Sequence, residues 1–126
     1  MKKIIKTENA PAAIGTYSQA VKKGNIVFLS GQIPLDPKSM ELVEGIENQI
    51  HQVFKNLLSV IEAAEASVND LVKLNIYLTD LANFAKVNQV MQDRFSEPYP
   101  ARATVQVSAL PLNVEIEMDA IVYLNE

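Results

Sequence analysis

Arg102 and Glu117 are the two residues of this chain whose types and placing let them do chemistry together. A guanidinium grips a carboxylate through two parallel hydrogen bonds, and a nearby glutamate can take a proton from water and return it. Such a pair is a minimal hydrolytic site. Both residues fall in segments of period two. Over residues 102–108, Arg102, Thr104, Gln106 and Ser108 fall on one side, with Ala103, Val105 and Val107 on the other. Over residues 114–122, Val114, Ile116, Met118, Ala120 and Val122 oppose Glu115, Glu117, Asp119 and Ile121. This alternation predicts strands with one apolar face. The short connection Leu110-Pro111-Leu112-Asn113 predicts that the two are antiparallel neighbours, with the basic face beside the acidic one. A cross-strand Arg/Glu pair is more often an ordinary surface ion pair, contributing about 0–1 kcal/mol. The pair therefore needs other residues around it before it reads as a site.

The elements that must position it can be read along the chain. Residues 2–6 predict a short opening strand, and residues 8–16 a loop broken by Pro11 and Gly15. Residues 17–21 and 25–33 predict a hairpin around Lys22-Lys23-Gly24-Asn25, ended by Pro34, Asp36 and Pro37. From about residue 45 to 66, Ile46, Ile50, Val53, Leu57, Val60, Ile61 and Ala64 recur at helical steps, with Glu47, His51, Lys55 and Glu62 opposite. Residues 71–79 predict a strand with Val72, Leu74, Ile76 and Leu78 inward, and a second helix begins near Asp80, a plausible N-cap, and runs to about residue 95. The order is β-β-β-α-β-α-β-β in one domain, residues 1–126. It implies an α+β fold with a single mixed β-sheet and two helices packed on one face. The other face carries Ile26, Phe28, Ile121 and Tyr123, apolar residues that helices on one side cannot cover, so we expect a homo-oligomer.

Three positions break their local pattern. Asn88 lies between Phe84 and Met91 on the apolar stripe of the second helix, where its amide must find partners, either a loop backbone or a ligand at a cleft edge. Gly31 interrupts a strong strand, marking a bulge or a close approach of another group to the backbone, and Ser30 beside it supplies a hydroxyl. Tyr17 closes the N-terminal loop, where its ring either packs or reaches over a cleft. His51, the only histidine, lies in the polar stripe of the first helix and reads as solvated, with no further ligands spaced to share a metal.

Composition sets the outer limits. The 126 residues are 48% apolar and 21% charged, as in a globular domain. Without cysteine, disulfides, thiol nucleophiles and thiolate metal sites are excluded. The net charge is −4 and the eleven basic residues are scattered, so nucleic-acid binding is disfavoured. Glu8, Asn9 and Pro11 interrupt any signal-like apolar run, and no stretch approaches the roughly 18 residues of a membrane span. We expect a cytoplasmic protein.

Taken in order, four groups of residues resemble the YjgF/RidA family of reactive-intermediate deaminases. They are Glu8-Asn9-Ala10-Pro11-Ala12-Ala13-Ile14-Gly15 with Tyr17-Ser18-Gln19; Ser30-Gly31-Gln32-Ile33-Pro34; Phe84-Ala85-Lys86-Val87-Asn88; and Pro100-Ala101-Arg102 with Leu110-Pro111 and Ile116-Glu117. The resemblance implies a chorismate-mutase-like, YjgF-like fold, a homotrimer whose sheets form a central barrel, and a ligand cleft between subunits. It implies hydrolysis of 2-imino acids and enamines such as 2-aminoacrylate and 2-aminocrotonate to 2-oxo acids and ammonia, without metal or cofactor. By the same resemblance Arg102 holds the substrate carboxylate, Glu117 activates or positions water, and Tyr17, Ser30, Gly31 and Asn88 line the cleft. Thr104 stands where the family commonly has cysteine, and is expected to contact ligand or water. Thr16 replaces the proline that commonly precedes the tyrosine. The alternative is a non-enzymatic trimeric module that binds small carboxylates, regulatory or chaperone-like, which would keep Arg102 but not depend on Glu117.

Overall fold

The computed structural model describes residues 1–125. Its strands are β1 (Lys3–Ile5), β2 (Ala20–Lys23), β3 (Ile26–Gln32), β4 (Leu71–Leu78), β5 (Ala101–Gln106) and β6 (Ile116–Tyr123), with helices α1 (Ile46–Ala63) and α2 (Phe84–Arg94). The element order is the one expected, and the boundaries differ where local chemistry intervenes. Gly24, at φ 60°, turns the hairpin between β2 and β3 in a left-handed conformation that side chains resist. The first helix ends three residues early because Glu65 adopts φ 62° and the Ala66 N–H bonds back to the Ile61 carbonyl at 3.2 Å, a Schellman closure. The second begins with a 3₁₀ turn, Leu81–Asn83, which Asp80 caps by accepting the Ala82 N–H at 2.9 Å.

The strands form one mixed sheet in the order β1-β2-β3-β6-β4-β5. This corrects one expectation. The strands bearing Arg102 and Glu117 are not neighbours, because β4 lies between them, antiparallel to β6 and parallel to β5. A parallel pair requires a crossover, and α2 supplies it, making β4-α2-β5 a βαβ unit. Residues 107–115 then carry the chain back past β4 to β6, with Leu112 and Asn113 at positive φ. Strand β4 also departs from strict alternation. A bulge between Leu71 and Lys73 turns Val72 outward, 47% exposed, while Leu74, Ile76 and Leu78 stay buried as expected.

Both helices lie on one face. The α1 stripe buries Ile50, Val53, Leu57, Val60 and Ile61 completely or nearly so, and adds Phe54. The Phe54 ring meets that of Phe95 edge-on, with centroids 5.6 Å apart at 83°, tying α1 to the end of α2. Two buried polar side chains on α1 fasten loops to this core. Gln49 Oε1 accepts the Glu115 N–H at 2.8 Å. Asn56 Nδ2 donates to the carbonyls of Ile33 and Leu35 at 3.1 and 2.9 Å, while its Oδ1 accepts from Gln52. An unpaired buried amide would cost about 1–3 kcal/mol, so each holds its loop firmly.

The opposite face is uncovered, as expected. Phe28 and Tyr123 are 49% and 48% exposed there, with Ile26 and Ile121 half-buried beside them. Among the described residues no helix is long and apolar enough to cross a membrane. Replacing the fully buried Phe54 by alanine removes the ring that joins the helices. The expected loss of unfolding free energy is about 3–5 kcal/mol at fixed protein concentration, read from a denaturant titration.

Candidate active site

Side chains of directly paired residues leave a sheet on the same face. Arg102 pairs with Leu74, which is fully buried beneath the helices, so Arg102 leaves the β5 edge on the helix side. There α2 receives it. Phe84, Asn88 and Met91 follow at steps of four and three and share one stripe of that helix. Arg102 Nη1 donates to Asn88 Oδ1 at 2.6 Å and approaches Met91 Sδ at 3.6 Å. Its guanidinium carbon stands 5.0 Å from the centre of the Phe84 ring, a cation–π contact. The partners engage one terminal nitrogen and one flat face. The edge formed by Nε and Nη2, the edge that binds carboxylates in pairs, makes no hydrogen bond among the described residues. The cleft before it, about 490 Å³, is lined by Asn88, Met91, Gln92, Tyr99 and Pro100 as well as Arg102.

Glu117 pairs with Tyr77 on the other face. Its carboxylate lies flat against the backbone of Gly31, where a Cβ would stand 2.9 Å from Glu117 Cδ and closer still to Oε2. Glycine is required here for close approach, and the register shift between Leu29 and Gln32 shows that it also sits in a bulge. Around Glu117 stand Tyr17, Ser30, Ile33, Pro111 and Leu112, which with Ile14 and Gly31 enclose a second cleft of about 540 Å³. The Tyr17 hydroxyl accepts the Ile14 N–H at 3.2 Å, folding the loop under its ring. The Ser30 hydroxyl donates to the Ser18 carbonyl at 2.5 Å.

The sequence-predicted residues thus form two groups. Arg102 and Asn88 meet on the helix side; Tyr17, Ser30, Gly31 and Glu117 meet on the open side. One protomer does not bring Arg102 and Glu117 together, because β4 separates their strands and their side chains leave opposite faces. Thr104 lines neither cleft. It pairs with Ile76 on the helix side, and its hydroxyl is buried without a hydrogen-bond partner.

Electrostatics follow from this separation. Burial first, and then the negative charge of Asp119, raises the pKa of Glu117 above the usual carboxylate value. Arg102 stands on the far face, away from this carboxylate.

Sequence reasoning missed two contributors. Phe84 was assigned to the core stripe, yet it is 36% exposed and serves as the platform for Arg102. Gln19 is buried and holds the N-terminal loop, accepting the Thr7 N–H at 2.7 Å and donating to the Thr7 and Pro11 carbonyls at 3.0 and 2.8 Å. It stood in the family-like group Tyr17-Ser18-Gln19, but the strand expected over residues 17–21 begins only at Ala20, which leaves Gln19 in the loop it holds.

Residues 7–124 match the protein family described as Endoribonuclease L-PSP. A RutC family protein from Pyrococcus horikoshii is 52% identical over 124 residues, covering 98% of each chain. The 2-iminobutanoate/2-iminopropanoate deaminase of Dermatophagoides farinae is 44% identical over 124 residues, covering 98% of this chain and 97% of its own. This chain belongs to the YjgF/RidA family. The crystal structure of TdcF from Escherichia coli with bound serine superposes on it with a TM-score of 0.91 at 38% identity, covering 98% and 99% of the two chains. The family resemblance read from the four groups of residues is thereby established, as is the fold.

Gly31→Ala is expected to lower stability by about 1–3 kcal/mol, because the new methyl group displaces the Glu117 side chain. Combining it with Glu117→Ala should cancel most of that loss. A double-mutant cycle measured by chemical denaturation checks this, and strictly additive effects would contradict the close packing of the two residues.

Proposed function

We propose that this RidA/YjgF family member hydrolyses 2-imino acids and their enamine tautomers, 2-aminoacrylate and 2-aminocrotonate among them, to 2-oxo acids and ammonia. The site is completed between copies of a homotrimer. The observation that carries this reading is the unengaged Nε/Nη2 edge of Arg102, held in place by Asn88, Met91 and Phe84 and facing a cleft. A small organic acid is the natural ligand of such an edge. The raised proton affinity of Glu117, in a separate cleft on the open face, supports a base that works nearer neutrality than a free carboxylate. The apolar open face supports the association that would carry one protomer's Glu117 to another's Arg102. The deaminase name of the mite relative and the serine held by the bacterial one agree with a small carboxylate-bearing substrate.

The chemistry asks little more. An imine carbon is already electrophilic, so neither a covalent nucleophile nor a metal is needed for water to add. Arg102 holds the carboxylate. Glu117 of a neighbouring copy accepts a proton from the attacking water as the carbon–oxygen bond forms and the C=N electrons pass to nitrogen, which takes up a proton. In the resulting tetrahedral adduct the proton held by Glu117 passes to nitrogen, the carbon–nitrogen bond breaks to release ammonia, and the hydroxyl proton returns to solvent as the carbonyl forms, balancing the one nitrogen took up. An enamine first takes a proton on carbon to become the imine.

Coupling the protein to a threonine dehydratase, and timing oxo-acid release against semicarbazide trapping, tests the reading. Arg102→Ala should reduce hydrolysis to the uncatalysed rate. Glu117→Gln should slow it by about 10²–10⁴ while leaving oxo-acid binding nearly intact. Wild-type turnover in the arginine variant would defeat the scheme. Equal carboxylate binding without any rate enhancement in the native protein would assign it to a binding module instead.

A further inference from the structure

Asp119 lies two residues beyond Glu117 on β6, on the same open face, and pairs directly with Asn75 of β4. Both its oxygens are engaged. Asn75 Nδ2 donates to Oδ1 at 2.8 Å, and the Tyr77 hydroxyl donates to Oδ2 at 2.8 Å. Tyr77 is in turn the residue paired with Glu117. The two carboxylates therefore stand next to each other in unlike surroundings. Each Asp119 oxygen accepts one hydrogen bond, whereas Glu117 is packed against Gly31 and makes no hydrogen bond among the described residues. Paired carboxylates whose environments differ in this way divide roles between a fixed charge and an exchanging one.

We propose that Asp119 is a positioning residue for imine hydrolysis: pinned by Asn75 and Tyr77, its carboxylate is held beside Glu117 on the open face and acts on the proton transfer through that residue. This rests on Glu117 acting as the base in the function proposed above. Successive same-face positions on a strand are about 7 Å apart along the backbone, so their side chains leave the sheet side by side. The groups facing Glu117 are Tyr77 from β4, Asp119 from its own strand, Ser30 from β3 and Tyr17 from the N-terminal loop, with Arg102 of another copy joining on assembly. Glu115, two residues before Glu117, lies outside β6, and within the strand Asp119 is the other charged residue on that face. Tyr77 keeps its proton, its pKa pushed up to about 12 chiefly by the hydrogen bond to Asp119 and then by burial. Arg102 alone would make Glu117 a weaker base. The substrate carboxylate neutralises that arginine on binding, and Asp119 then remains the charge that Glu117 senses.

The test uses the whole protein labelled with ¹³C at the glutamate carboxyls, with Glu117→Gln identifying the Glu117 resonance. Asp119→Asn keeps the size and offers Tyr77 and Asn75 new partners while removing the charge. Its Glu117 titration midpoint should fall by about one pH unit, and the ascending limb of the kcat/KM profile should move to lower pH with it. Asp119→Glu should restore both. Tyr77→Phe removes a donor but keeps the charge, so its limb should stay at or above the wild-type position. An unmoved midpoint in Asp119→Asn overturns the proposal, as does an equal downward move in Tyr77→Phe, which would mean packing and not charge. If Glu117→Gln slows the reaction while Asp119→Asn changes neither midpoint nor limb, Asp119 alone loses its role. If Glu117→Gln leaves the rate intact, the base falls and this proposal falls with it.

Discussion

A single-layer sheet has two faces, and the side chains of Arg102 and Glu117 leave this one on opposite sides with a strand between them. Glu117 cannot turn to the helix side, because reversing the alternation of β6 would drive Ile116, Met118, Ala120 and Val122 into water. The rest of the structure is organised about this division. The helix face is filled by α1, α2 and the apolar side chains of β3, β4 and β6, and Arg102 emerges only at its edge, where α2 leaves room. The open face keeps its apolar residues uncovered and holds Glu117 among them. The open face thus carries Glu117 and the uncovered apolar residues together, and the helix face carries Arg102 at its edge.

The loops around Glu117 are held by buried amides. Gln19 ties the segment bearing Tyr17 to Thr7 and Pro11 of the N-terminal loop, and Asn56 fixes the chain just after Ser30 and Gly31. Hydrogen bonds of this kind are directional, and leaving one partner unsatisfied in the interior is expensive, so they specify loop geometry more tightly than an apolar contact would. Gly31 makes the complementary concession. It gives up strand propensity, and in exchange a carboxylate can lie directly on the backbone.

The same division governs the charges. A glutamate beside an arginine is a poor base, while a buried one is a better base, and sequence alone leaves the two effects in balance. The fold separates them within the protomer, so burial and the neighbouring Asp119 dominate. Arg102, stacked on Phe84 and bonded to Asn88, is held in one orientation at the sheet edge.

The element order, the α1 stripe, the anomalous Asn88 and the close approach at Gly31 were all legible in the residues, because each depends on local periodicity or on a residue type that breaks it. So was family membership, carried by four groups of residues in order. What only the tertiary structure decided was which strands are neighbours and which side each residue faces: alternation reveals two sides of a strand without saying which one the helices cover. Residues 71–78 read the same whether central or at an edge, yet their insertion between β5 and β6 separates the two chemical groups. That insertion depends on α2 crossing from β4 to β5, a long-range packing choice made by the assembled core and encoded in no short stretch of chain.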